Sequence, residues 1–357
     1  MNPSKFSLAS IAILQQSASQ LEYSVSSVLR HTTEFRNGIN SIKDIYTKAY
    51  IQNKMKDGHL TYPHPENGSE AGMGFELRNA SFAYPGSKLR QNALKDISLS
   101  ISPGQLVVIV GANGSGKSTI IKLFCRLYAP HSGDLFIDGI PAEDYISSEL
   151  REASTILSQE NLLYPLSLGE NIGLGYWEKV MDTELISQAA KKGGASHLLS
   201  KLSEGMQTVL EPENNIWSRN FSGIPDHPLH QTRKNLSSNV DLSGGEKQRI
   251  AASRTFMRLF SEKVKFVAVD EPSSALDPEG ELQLFERLIA ARKGKTMVFV
   301  THRFGHLTKH ADKIICMKDG SIVEQGSHKE LMKLSGEYAK LYSIQARAFE
   351  STSPGSA

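Results

Sequence analysis

The most constraining stretch of the chain is the apolar run Leu106–Val110, which leads directly into Gly111-Ala112-Asn113-Gly114-Ser115-Gly116-Lys117-Ser118-Thr119. A short β-branched run without polar alternation reads as a strand buried on both faces. Ile120, Ile121, Leu123 and Phe124 follow at the spacing of an apolar helix face. The loop between them fits G-x-x-x-x-G-K-[ST] in the strand–loop–helix context that pattern requires. Glycines let successive backbone N–H groups converge on phosphate oxygens without a Cβ in the way. The helix start adds its positive end. Lys117 supplies a full charge for the β and γ phosphates, and the Ser118 hydroxyl suits Mg²⁺. The bland alternative is a glycine-rich turn, and the flanking strand and helix weigh against it.

A second buried strand, Phe266–Val269, runs into Asp270-Glu271. The carboxyl ends of strands are where an open α/β sheet places its ligand. Asp270 can hold Mg²⁺ directly or through water, and Glu271 can orient and deprotonate an attacking water. Alone, an acidic pair closing a strand carries no chemistry; beside a phosphate cradle it does.

Leu242-Ser243-Gly244-Gly245-Glu246-Lys247-Gln248-Arg249 precedes that strand. Read by itself it is a turn and a helix start with Glu246 in the first turn. The octet closely resembles the signature motif of ATP-binding cassette (ABC) proteins, at the interval that family uses. Other segments resemble the family's motifs in order. Gln159, in Leu157-Ser158-Gln159-Glu160, looks like the Q-loop glutamine. Ser274-Ala275-Leu276-Asp277 looks like the D-loop. Thr301-His302-Arg303 looks like the switch-histidine segment. Tyr84, in Phe82-Ala83-Tyr84-Pro85, looks like the aromatic that stacks on adenine. The resemblance spans about residues 75 to 342.

That resemblance implies an ATPase using ATP and Mg²⁺. Gly111, Asn113, Gly114, Ser115, Gly116, Lys117, Ser118 and Thr119 would cradle the phosphates. Ser118, Gln159 and Asp270 would surround the metal. Glu271, His302, Gln159 and Lys117 would carry catalysis. It also implies that Ser243, Gly244 and Gly245 face the γ-phosphate of ATP held by a second cassette, so that two cassettes close head to tail. Leu166-Ser167-Leu168-Gly169-Glu170-Asn171-Ile172 and the closing segments through His328-Lys329-Glu330-Leu331 resemble exporters in particular.

The expected fold is α/β: a phosphate-loop NTPase with a mostly parallel sheet flanked by helices, an antiparallel β subdomain and a helical subdomain. A long N-terminal helix precedes it. Residues 1–56 place Ile11, Leu14, Leu21, Val25, Val28, Phe35, Ile39, Ile42 and Ile45 at mostly helical steps. Gly38 could mark a kink. This helix resembles the cytoplasmic end of an exporter's last transmembrane helix, so it is expected to pack on membrane-domain helices rather than on its own domain. The glycines and prolines of 57–74 read as a linker. The cassette is expected over 75–345, with its helical subdomain at about 160–258. Within it, 211–239 reads as an insertion longer than exporters usually carry, a flexible surface loop rather than a docking one. Residues 346–357 read as a disordered tail.

The 357 residues carry a formal charge of +2, too little to imply a nucleic-acid partner. Cys125 and Cys316 lack ligand spacing and fit small buried residues in a reducing compartment. No apolar run approaches the ~18 residues that cross a bilayer. His302, His306 and His310 lie four apart, which could suggest a metal face, but no third ligand type is positioned nearby and His302 already has a better role. The resulting expectation is an exporter's motor on the cytoplasmic side of a membrane, paired with a second cassette. Two alternatives remain: a soluble cassette acting in translation or DNA maintenance, and a catalytically silent regulatory cassette. Intact Lys117, Asp270, Glu271 and His302 weigh against the silent one.

Overall fold

The structure is a computed structural model. It describes residues 8–49, 55–65, 70–86, 92–158, 162–210, 242–272, 276–301, 305 and 307–350. The chain divides into two compact units, Met1–Lys56 and Asp57–Ala357.

The first unit is one helix, α1 (Leu8–Ala49). It runs unbroken through Gly38, where the sequence suggested a kink. Its hydroxyl side chains turn back onto the helix: Ser17 donates to the Ile13 carbonyl, Ser24 to Gln20, Ser41 to Asn37 and Thr47 to Lys43. Such bonds satisfy polar groups without solvent. The large apolar residues, by contrast, are exposed, from 49% at Ile39 to 73% at Phe35.

The second unit is built on two sheets. β1 (Phe75–Phe82), β2 (Leu94–Ile101), β4 (Ser132–Ile137) and β5 (Ile140–Pro141) form an antiparallel sheet in the order β2-β1-β4-β5. Here β2 shows the inward–outward alternation of a sheet with one wet face. β3 (Leu106–Gly111), β6 (Ser154–Leu157), β7 (Phe266–Asp270), β8 (Thr296–Val300), β9 (Lys313–Lys318) and β10 (Ser321–Gly326) form the larger sheet. Its order is β10-β9-β3-β8-β7-β6, parallel except for the β10 edge.

β3 is buried throughout, which is why its sequence does not alternate. Leu106, Val108 and Val110 enter one core, while Val107 and Ile109 enter the other. The first core joins the sheet to a helical layer: α4 (Leu168–Gly173), α5 (Thr183–Gly193), α6 (Ser196–Lys201) and α7 (Gly244–Leu259). The second joins it to the antiparallel sheet and to α2 (Lys117–Phe124). The other α-helices among the described residues are α3 (Ser147–Glu152), α8 (Pro278–Ala290), α9 (His328–Leu334) and α10 (Glu337–Glu350). α10 carries helix to Glu350, so residues 346–350 are not the disordered tail that composition suggested.

The expected linker also differs. Its described residues form a strap bound along the second unit. Gly58 N–H donates to the Tyr145 carbonyl, and the His59 and Leu60 amides share that of Asp144. The Tyr62 hydroxyl donates to Asp138 (3.0 Å), whose other oxygen accepts from Gly74 N–H (2.6 Å). Tyr62 and Met73 are buried. Gly72, at φ 135°, passes so close to β8 that a Cβ would lie 2.5 Å from the Thr296 amide nitrogen. Glycine here serves close approach rather than slack, a distinction that composition does not carry. The 211–239 insertion lies outside the described residues.

Candidate nucleotide-binding site

Parallel pairing sets one row of the sheet at its carboxyl edge. Ile109 of β3 pairs with Val300 of β8, and Val300 with Asp270 of β7. The cradle that follows β3 and the carboxylates that end β7 therefore lie either side of β8, at the carboxyl edge of the sheet. β6 ends at Leu157 and β8 at Val300. Gln159 and His302, each two positions beyond, lie outside the described residues, as do Ser274 and Ala275 of the D-loop-like segment.

Gly116 caps α2 at φ 98°, and a Cβ there would meet the Ala93 carbonyl at 2.7 Å. Asn113 and Gly114 are exposed, whereas Ser115 is buried with no hydrogen-bond partner for its Oγ among the described residues. Buried hydroxyls seldom go unsatisfied, and a phosphate oxygen is the acceptor such a loop is shaped for. Lys117 is 5% exposed; its Nζ donates to the carbonyls of Gly111 (3.1 Å) and Ala112 (3.0 Å) and lies 3.8 Å from Glu271 Oε1. Burial pulls the Lys117 pKa down, against the pull of Glu271 and Asp270.

Ser118 Oγ donates to Asp270 Oδ1 at 2.8 Å, joining the loop helix to β7. Burial pushes the Asp270 carboxyl up, with Glu271 adding to it, while Ser118 and the nearby lysines oppose the shift. These hard oxygens fit Mg²⁺. Among the described residues no group of three His, Cys, Asp or Glu could hold a metal by itself. A divalent cation here would be shared by Ser118, Asp270 and phosphate oxygens. Glu271 sits one residue past β7 at φ 45°, a left-handed conformation held by its N–H bond to the Val300 carbonyl (2.8 Å). Strain of that kind concentrates at functional positions.

Tyr84 is half-buried, edge-on to Phe82 and Tyr128 (ring centres 5.0 and 5.4 Å away). Its hydroxyl lies 3.1 Å from Thr119 Oγ1, so the aromatic is tied to the loop helix. The structure thus brings Tyr84, Thr119, Lys117, Ser118, Asp270 and Glu271 together.

Ser243, Gly244 and Gly245 form a second surface at the start of α7. Ser243 is the N-cap. Its Oγ accepts from Glu246 N–H (3.3 Å), and Glu246 Oε2 accepts from Ser243 N–H (2.8 Å). This reciprocal capping box follows from Ser-x-x-Glu and was legible in the sequence. Its neighbours were not: Lys201 Nζ lies 2.6 Å from Glu246 Oε1, and Arg249 bonds Asp277 at 3.3 Å. His197, Ser243, Gly245, Arg249 and Asp277 line an open concavity. Cys125 and Cys316 are buried free thiols, pushed up to about 12 by burial.

A buried parallel strand ending in a glycine cradle, with a carboxylate pair two strands away, defines a phosphate-loop nucleotide-binding domain. Residues 94–274 match the ABC transporter family, and the chain belongs to it. It is 30% identical to an ATP-dependent lipid A-core flippase of Haemophilus influenzae over 321 residues, covering 90% of this chain and 48% of that protein. It is 36% identical to a sophorolipid transporter of Starmerella bombicola over 272 residues, covering 76% of this chain and 19% of the transporter. A bacterial Atm1-family ABC exporter solved with ATP bound superposes with a TM-score of 0.68 at 25% identity, over 87% of this chain and 48% of its own. The chain spans less than half the length of each of these relatives.

Proposed function

We propose that this chain is the ATP-hydrolysing motor of an exporter, acting on the cytoplasmic face of a membrane and paired head to tail with a second cassette. The observation that carries the reading is the convergence of Lys117, Ser118, Asp270 and Glu271 at one edge of the sheet.

ATP is the substrate. Tyr84 offers its ring to the adenine, and the amides of 111–119 with Lys117 hold the phosphates. Ser118, Asp270 and Gln159 would hold Mg²⁺, which when bound would supply positive charge against the phosphates. Glu271 orients a water and takes its proton as the water oxygen attacks the γ phosphorus and the bond to ADP breaks. His302 contacts the γ-phosphate. Ser243, Gly244 and Gly245 approach from the opposing cassette, so that charge-stabilising donors arrive only on closure. The match to the flippase is longer than residues 57–357 and so enters α1. With the exposed apolar stripe of α1, this supports α1 as a helix that docks on a membrane domain.

The test is ATP turnover by the parent, Lys117→Ala and Glu271→Gln, with nucleotide binding measured alongside. Lys117→Ala should lose binding and turnover. Glu271→Gln should keep binding and lose turnover by about 10²-fold or more. Near-zero turnover in the parent and in Glu271→Gln, with good ATP binding in both, would instead support a silent regulatory cassette.

A further inference from the structure

Among the described residues, three helices of the second unit begin with the same capping box. Ser167 and Glu170 start α4, Ser243 and Glu246 start α7, and Ser327 and Glu330 start α9. In each, the serine N–H donates to the glutamate at 2.8 Å. Among the described residues only Glu246 also receives a lysine, Lys201 of α6, at 2.6 Å, with His197 Nε2 of the same helix 3.9 Å away. The cap itself therefore does not need the lysine, since two of three form without it.

What distinguishes the α7 cap is its setting. It borders the concavity of Ser243 and Gly245, the surface assigned above to the opposing cassette's nucleotide. A triphosphate is strongly anionic, and Glu246 puts a carboxylate, 11% exposed, beside it. We propose that Lys201 is a positioning residue for ATP held by the opposing cassette, cancelling the Glu246 charge beside it. Because Ser243 Oγ accepts from Glu246 N–H, its own proton is left to donate to a phosphate oxygen. The Lys201 contact is also what chiefly holds the Glu246 carboxyl below its usual range.

This inference rests on the head-to-tail reading, and the experiment separates the two. In the full chain carrying Glu271→Gln, ATP-driven pairing is followed by sedimentation across ATP concentrations with Mg²⁺. ADP affinity is measured separately, because ADP lacks the γ-phosphate and reports on the chain's own cradle. Lys201→Gln should raise the ATP concentration for half-maximal pairing about three- to tenfold, with ADP affinity within about twofold of the parent. Lys201→Arg should restore pairing. In a Glu246→Gln background, adding Lys201→Gln should shift the midpoint less than about twofold, since no charge remains to cancel. If the parent pairs and Lys201→Gln leaves the midpoint unmoved, or shifts it equally in both backgrounds, the inference falls alone. If the parent does not pair with ATP, the head-to-tail reading falls and takes the inference with it.

Discussion

Thr296→Val isolates the contact that ties the strap to the sheet. Thr296 opens β8 and is fully buried. Its Oγ1 donates to the Met73 carbonyl at 2.6 Å and accepts from Gly104 N–H at 2.8 Å, using both capacities of the hydroxyl. Valine keeps the shape and removes the bonds, so hydrophobic packing is nearly unchanged. Met73 is fully buried and would lose its partner without access to water, which costs about 1–3 kcal/mol. Gly104 is half-buried and recovers part of its loss through solvent, about 1 kcal/mol or less. The sum is a destabilisation of about 1–4 kcal/mol, more than the ~0.5 kcal/mol of an ordinary surface change. Urea unfolding of parent and variant, followed by fluorescence, gives the difference directly. A loss below about 1 kcal/mol would mean that the Thr296 hydroxyl does not hold the strap.

Three further expectations follow from the same coordinates. Gly116→Ala forces a Cβ to 2.7 Å from the Ala93 carbonyl at φ 98°, and nucleotide binding by equilibrium dialysis should weaken at least about tenfold. Arg254→Met removes the guanidinium that bonds the Asn171 carbonyl and Oδ1 and the Leu162 carbonyl. It should lower unfolding free energy by about 2–4 kcal/mol, and a loss under about 1 kcal/mol would show those acceptors re-satisfied. Glu170, Glu246 and Glu330 have pKa values held below the usual 4.5, Glu246 mainly by Lys201 and the other two by the serine amides of their caps. A depressed carboxylate stabilises fully above its unfolded value and loses that contribution as pH falls through the folded one. Melting temperature should therefore drop on acidification below about 4.5, and less steeply in Lys201→Gln.

How much of this was legible in the sequence depended on whether the determinants were local. The cradle, the Asp270-Glu271 strand end and the helix start at Ser243 are each specified by residues only a few positions apart. β3 was readable because full burial removes alternation. The strap was not. Gly72 and Gly74 look the same in a free linker and in a segment pressed on a sheet, and its anchors lie far off in sequence: Asp138 for Tyr62 and Thr296 for Met73. Lys201 was missed for the same reason, being 45 positions from Glu246. α1 shows the reverse case: its period was plain, and what its exposed stripe faces is not encoded in the period.

The two surfaces assigned to nucleotide are fixed by different forces, and this yields a test by salt. The cradle hangs on a backbone ladder among buried strands, and its one full charge, Lys117, is 5% exposed. The α7 surface is fixed by side chains: Lys201 to Glu246, Arg249 to Asp277, and Arg258 to the Glu152 carbonyl. Lys201 is 58% exposed and Asp277 62%. Exposed pairs are screened by salt far more than buried ones, the Debye length falling from about 14 Å near 0.05 M to about 4 Å near 0.5 M. Raising sodium chloride over that range should therefore move the ATP midpoint of pairing by a larger factor than the ADP affinity of a single chain. The Lys201→Gln, Glu246→Gln double variant should lose part of that excess. Equal factors for the two measurements, or an excess untouched in the double variant, would show that the opposing surface does not owe its geometry to these charges.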